Sequence, residues 1–234
     1  MTLALLTRTL VDGLLEALFP TRCAGCELPG ELLCSRCREA LPLIDPATAC
    51  PRCFAPYGWL VCTECWDTDL VIDSAVAVGL LDRPLSRCVT IYKDAFEKRL
   101  SEELGALLAA AVTQRWDEGF ADAIVPVPAS ADAIRRRGYD HVSLLADSIA
   151  RHTGIPCLRL LAHAGAVDQR SLSREERMAN VEEAFEVRIA TPCPDRVLIV
   201  DDVMTTGATM RAAALAVKAA GAVEVRAGFV ARAW

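Results

Sequence analysis

The chain has 234 residues, with 25 basic against 31 acidic side chains and a formal net charge of −6. At 53% hydrophobic and 24% charged, it carries enough apolar material for a packed core, which excludes disorder and low-complexity arrays. A protein that gripped DNA mainly through its phosphates would be basic, so the charge argues against tight nucleic-acid binding by the whole chain. The length suits one large domain, or one domain with a small appendage.

At the N-terminus, residues 1–19 place Leu3, Leu6, Leu10, Leu14 and Leu18 at three- and four-residue spacing. That predicts an amphipathic helix packed on the body of the protein. Arg8, Asp12 and Glu16 interrupt it, so it matches neither a signal peptide nor a membrane span. Its mixed polar face lacks the basic character of a membrane-surface helix. The expected compartment is the cytoplasm, where thiols stay reduced and clustered cysteines bind metal.

Residues 20–69 are rich in cysteine, proline and glycine. Eight of the 11 cysteines lie there, as C-x-x-C pairs: Cys23/Cys26, Cys34/Cys37, Cys50/Cys53 and Cys62/Cys65. Two thiolates at that spacing sit on one tight turn, and two such knuckles complete a closed, tetrahedral structural zinc site. The gaps between pairs are 7, 12 and 8 residues, which favours two sequential sites. Interleaved pairing of alternate knuckles stays open. So short a segment with so few large apolar residues needs metal to fold. Arg22, Arg36, Arg38 and Arg52 face Glu27, Glu31, Glu39, Asp45, Glu64, Asp67 and Asp69, a balance that favours protein contact over phosphate backbone. Cys88, Cys157 and Cys193 are expected to be incidental.

From residue 70 onward, short apolar runs alternate with helical patterns. Strands are expected over 71–81, 123–127, 196–200 and 223–230, and helices over 95–116, 139–153 and 206–220, the last two closed by Gly154 and Gly221. Such alternation predicts an α/β domain with a mostly parallel sheet. The expected organisation is a helix at 1–19, a double zinc-ribbon module at 20–69 and an α/β domain at 70–234.

The most specific motif spans 197–210, VLIVDDVMTTGATM. An apolar strand runs into two adjacent acids, Asp201 and Asp202. The loop Thr205-Thr206-Gly207-Ala208-Thr209 then opens a helix. Ligands bind beyond the carboxyl ends of strands in such sheets. Backbone N–H groups at a helix N-terminus make a phosphate cradle, and Gly207 lets the backbone approach. Two carboxylates one step earlier suit ribose hydroxyls or a hard cation bridging to a polyphosphate. No Gly-Lys follows, and there is no G-x-G-x-x-G.

This stretch resembles the binding signature of type I phosphoribosyltransferases, which bind 5-phosphoribosyl-1-pyrophosphate (PRPP) with Mg²⁺. The resemblance implies that Asp201 and Asp202 contact the ribose and act at the catalytic centre, with Thr205, Thr206, Gly207, Ala208 and Thr209 around the 5′-phosphate. With its C-x-x-C-rich head, the chain is similar over almost its whole length to the ComF family, linked to DNA uptake in competent bacteria. Tyr92-Lys93, Val125-Pro126-Val127-Pro128, Arg137-Gly138-Tyr139, and Gln169, Leu172, Arg177 and Asn180 carry that likeness. It implies pyrophosphate contacts near Pro128 and Ala129, with Arg137 and Lys93 as further candidates, and a mobile hood at 164–180. Family members usually carry Asn-Gln where Asp140-His141 stand. Arg135-Arg136-Arg137 otherwise reads as a solvated helix start, and His141 and His163 as incidental. Two functions follow as expectations. One is phosphoribosyl transfer to an unidentified acceptor in nucleotide metabolism. The other is a PRPP sensor or adaptor in DNA uptake or recombination that docks through its zinc head, with weak direct nucleic-acid binding at most.

Overall fold

The computed structural model describes residues 20–56, 58, 60–163, 185–187 and 192–234. The expected helix at 1–19 and the expected hood at 164–180 lie outside the described residues. In chain order the described elements are α1 (Ser35–Glu39), α2 (Thr63–Asp67), β1 (Ser74–Leu80), α3 (Leu85–Asp94), α4 (Leu100–Arg115), β2 (Ala123–Pro126), α5 (Ala131–Arg137), α6 (His141–Thr153), β3 (Leu161–His163), β4 (Phe185–Val187), β5 (Arg196–Met204), α7 (Ala208–Ala219) and β6 (Glu224–Arg232).

The apolar run at 196–200 lies inside the sheet. Strand order is β1-β6-β5-β2, with every pairing parallel. Val197, Leu198, Ile199 and Val200 are at most 1% exposed, the pattern of a parallel strand covered on both faces. Strands β3 and β4 form a separate antiparallel pair. Helices α4 and α6 pack closely: a Cβ on Gly105 would stand 2.3 Å from Ser148 Oγ, so the α4 residue there has to be glycine.

Beyond shifts of one to three residues at other element ends, three differences from the sequence expectation bear on the site. First, the helix expected over 95–116 begins at Leu100, and a separate α3 precedes it. The segment 85–94 has mediocre helix propensity, but Leu85, Cys88, Val89 and Tyr92 share one buried face, and tertiary packing overrides propensity. Second, β5 runs through both acids to Met204, because its ladder with β6 continues through Asp201↔Phe229 to Met204↔Arg232. Third, Arg135–Arg137 close α5 rather than start a helix. Gly138, at φ 71°, supplies the left-handed cap.

The cysteine-rich head folds as two similar halves. In each, a C-x-x-C turn ends in a left-handed residue: Glu27 at φ 66° after Cys26, and Phe54 at φ 57° after Cys53. The third cysteine caps a short helix that carries the fourth, in α1 for Cys34 and Cys37 and in α2 for Cys62 and Cys65. The head packs on the edge of β1. Leu80 N–H donates to the Pro42 carbonyl at 2.8 Å, and a Cβ on Gly79 would meet that oxygen at 2.5 Å. Arg38 also pairs with Glu103 of α4 at 2.5 Å.

Candidate functional site

Strand β5 alternates its side chains, so adjacent acids point to different places. Asp202 is 4% exposed. Its Oδ2 takes Lys93 Nζ of α3 at 2.7 Å and His141 Nε2 of α6 at 3.0 Å. Behind the histidine, Arg137 Nη1 lies 3.2 Å from His141 Nδ1, and Arg137 Nη2 lies 3.8 Å from Asp94. Tyr92 donates its hydroxyl to the His141 carbonyl, and Tyr139 donates to the Tyr92 carbonyl. Burial works against the Asp202 charge, yet the His141 hydrogen bond and the Lys93 charge outweigh it and hold the carboxyl below the usual aspartate range.

Asp201 is only partly buried and lines a small recess with Val203, Met204 and residues 205–210. Burial and the adjacent Asp202 charge push its carboxyl well above the ordinary range. Its Oδ1 accepts the Asp202 N–H at 2.8 Å. The two acids thus differ: one is held by Lys93 and His141, and the other faces the recess.

Thr205, Thr206, Ala208 and Thr209 are exposed around buried Gly207. Gly207 sits at φ 79°, and a Cβ there would stand 2.8 Å from both Leu70 Cδ2 and Met204 Cε. The helix α7 starts directly after it, so the loop presents N-terminal amides toward the recess. On the neighbouring strand, Val127 N–H donates to the Val200 carbonyl at 2.9 Å, which sets Pro128 and Ala129 beside the start of the acid pair. His163 Nε2 lies 3.0 Å from the Pro128 carbonyl.

The structure therefore gathers Asp201, Asp202, Lys93 and residues 205–209 around the end of β5, with Arg137 joined to them through His141. Arg135 and Arg136 are exposed, and Arg135 pairs with Asp132. His141, read as incidental from sequence, is instead a direct partner of Asp202. Its sequence signals were its place two residues after Arg137-Gly138-Tyr139 and the departure from the family's Asn-Gln at 140–141. Arg232, also unnoticed, is 1% exposed and bonds the Met204 and Thr205 carbonyls.

The eight head cysteines fall into two groups, Cys23/Cys26/Cys34/Cys37 and Cys50/Cys53/Cys62/Cys65, with the sulfurs of each group within 4.8 Å of one another. Pairing is thus sequential, and the interleaved alternative is excluded. A tetrahedral zinc site with Zn–S of about 2.3 Å separates its sulfurs by about 3.8 Å. Cys26 and Cys34 Sγ are 3.7 Å apart and Cys53 and Cys62 Sγ 3.5 Å apart, with no cysteine in a disulfide. Both groups could hold a metal ion. Burial opposes ionisation of Cys23 and Cys50. Backbone N–H groups of Cys34, Cys26 and Gly25 nevertheless bring Cys23 down to about 6. Those of Cys53, Cys62 and Arg52 bring Cys50 to about 7. In the same clusters burial and the neighbouring thiols push Cys37, Cys53 and Cys65 up, so binding of a cation would displace their protons. Among the described residues, no helix is long and apolar enough to cross a membrane.

Comparison with known proteins agrees with this geometry. The phosphoribosyl transferase domain matches residues 176–233, which include the acids, the loop and α7. Competence protein F of Haemophilus influenzae is 29% identical over 230 residues, 92% of this chain and 98% of that protein. The DNA utilization protein YhgH of Escherichia coli is 30% identical over 203 residues, 82% of this chain and 88% of that protein. Competence protein ComFC of Bacillus subtilis is 27% identical over 199 residues, 80% of this chain and 78% of that protein. With paired four-cysteine clusters ahead of a parallel α/β sheet of phosphoribosyltransferase type, and relatives of these names along most of its length, the chain belongs to the ComF family.

Proposed function

We propose that this chain binds PRPP with Mg²⁺ at the end of β5 and serves DNA uptake or utilisation, as the names of its relatives suggest. The observation that carries the reading is the placing of Asp201 and residues 205–209 around one recess, beside the cation-held Asp202. The loop amides and the threonine hydroxyls hold the 5′-phosphate. Asp201 accepts from the ribose hydroxyls in its ionised form, which the positive charge of Mg²⁺ accompanying the anionic substrate favours. Lys93 and Arg137 place positive charge on the side where the pyrophosphate lies, near Pro128 and Ala129. Mg²⁺, when bound with the substrate, neutralises charge on the pyrophosphate leaving group. The chain's own part in transfer is to orient the sugar and stabilise charge, which are the main catalytic resources for such a reaction. Zinc in the two cysteine clusters is structural, since each cluster supplies four sulfur ligands and leaves no open position.

Calorimetric titration of wild type with Mg²⁺ and PRPP, against Asp201→Asn with Asp202→Asn, tests this. Wild type that fails to bind overturns it. A second reading, a PRPP-sensing adaptor, draws support from Leu60 and Trp66, 72% and 79% exposed on the second cluster, where a protein partner would dock. Pyrophosphate release in a nucleobase screen separates the two: release supports the transferase, and binding without release supports the adaptor.

A further inference from the structure

Arg232 is the largest fully buried side chain described. Its guanidinium joins three parts of the molecule. Nη1 donates to the Thr205 carbonyl at 2.5 Å, to the Met204 carbonyl at 3.3 Å and to the Ala233 carbonyl. Nη2 donates to Glu64 Oε2 at 2.9 Å. Glu64 belongs to α2, the helix that carries Cys65 of the second cluster. Trp234 lies under the guanidinium at 5.4 Å. The Met204 carbonyl takes a further bond from Ala233 N–H at 2.9 Å.

These bonds set the direction of the loop amides. In a trans peptide, C=O and N–H point opposite ways, and the only cis bond among the described residues is Arg83-Pro84. Holding the Met204 and Thr205 carbonyls toward Arg232 turns the N–H groups of Thr205 and Thr206 away from it, to the recess side of the loop. A cation on the carbonyl also polarises the peptide and strengthens the opposite N–H as a donor. The last residue of the head and the one after it also brace the loop and the start of α7. Leu70 is one of the two side chains that a Cβ on Gly207 would strike, and Arg211 Nε donates to the Asp69 carbonyl at 2.8 Å.

We infer that Arg232 is a positioning residue for the anion-binding loop at 205–209, and that Glu64 anchors it, so that the second cysteine cluster orients the loop. This rests on the proposed PRPP site only for the identity of the anion. The cysteine-rich head is then part of the site's framework rather than an appended docking module.

The test uses the full, zinc-loaded chain as wild type, Glu64→Gln and Arg232→Lys. Hydrogen exchange is read along the loop, and titrations use inorganic phosphate and, separately, PRPP with Mg²⁺. Lysine keeps the charge but cannot span two carbonyls and a carboxylate. Loss of one charge-assisted bond corresponds to about tenfold faster exchange at 205–209 in Arg232→Lys and about threefold in Glu64→Gln, with phosphate and PRPP affinities falling by similar factors. Protection in β5 and β6 and the zinc content should stay at wild-type values. Glu64 is 59% exposed, so Glu64→Gln folds and decides the matter alone if Arg232→Lys does not. Unchanged loop exchange in the folded variants overturns the inference, as does weakened PRPP binding with unaltered phosphate affinity. Wild type that fails to bind PRPP overturns the functional reading instead, and loop exchange still decides the role of Arg232.

Discussion

Asp201→Asn should stabilise the fold while destroying the proposed ligand site. In the folded chain Asp201 sits beside the charge of Asp202 and partly out of water, and both disfavour its ionised form. An asparagine keeps the Oδ1 acceptor for the Asp202 N–H and removes the repulsion. Relief of such strain at a functional site is worth about 1 kcal/mol, which for a chain of this size raises the melting temperature by about 2–4 °C. Asp202→Asn should do the reverse, because it leaves Lys93 and His141 facing an uncharged amide. A fully buried broken pair costs about 3–5 kcal/mol. Lys93 is 31% exposed and recovers some hydration, so about 2 kcal/mol is expected, a fall of about 4–8 °C. The pH dependence has opposite signs at the two acids. The raised Asp201 contributes stability below the ordinary aspartate value of about 3.9 and loses it as pH rises through its folded value. The advantage of Asp201→Asn therefore grows from pH 4 to pH 8. The lowered Asp202 contributes above about 3.9 and loses that contribution only as pH falls through its lower folded value. Thermal unfolding of the zinc-loaded proteins across pH, with PRPP titration at pH 7, reads all of this. Equal destabilisation in both variants at pH 7 would refute the division of roles between the acids.

Other outcomes follow from the same geometry. Metal analysis should find two zinc ions per chain, falling to one in Cys53→Ser; a strong chelator should unfold the head, since structural zinc contributes about 10 kcal/mol or more, and an unchanged melting temperature after full metal removal would count against a structural role. His141→Ala should cost about 1–2 kcal/mol by leaving Asp202 short of a donor and should weaken PRPP binding, with His141→Gln recovering part of both; equal behaviour of the two variants in calorimetry and melting would argue against a hydrogen-bonding role. Gly207→Ala forces both a left-handed backbone and a clash with Leu70 and Met204, so a stability loss of about 1–3 kcal/mol should accompany loss of anion binding. Gly105→Ala should destabilise by about 1–3 kcal/mol through the α4–α6 contact yet leave PRPP affinity intact, and it serves as the control for site-specific effects.

The order of strand, acids, loop and helix at 197–210 was legible from sequence because it is local: a buried apolar run, two acids and a glycine needed at positive φ are all written in consecutive residues. The four knuckles were legible for the same reason, since C-x-x-C spacing encodes a turn. Their sequential pairing was favoured by the gaps and decided by the fold. Helix α3 was missed because only its burial against the sheet and head makes a helix of a segment with modest propensity. Lys93 and His141 reach Asp202 from 109 and 61 residues away along the chain, and Glu64 and Arg232 are 168 apart. By itself, then, the sequence determined the class of fold, the four-cysteine make-up of the head and the order of strand, acids, loop and helix at 197–210. Tertiary structure alone decided that Lys93 and His141 pair with Asp202 rather than with Asp201, and that a head residue bonds the arginine behind the loop. The physical reason is that burial and pairing of charge depend on which distant side chains the fold brings within hydrogen-bond reach.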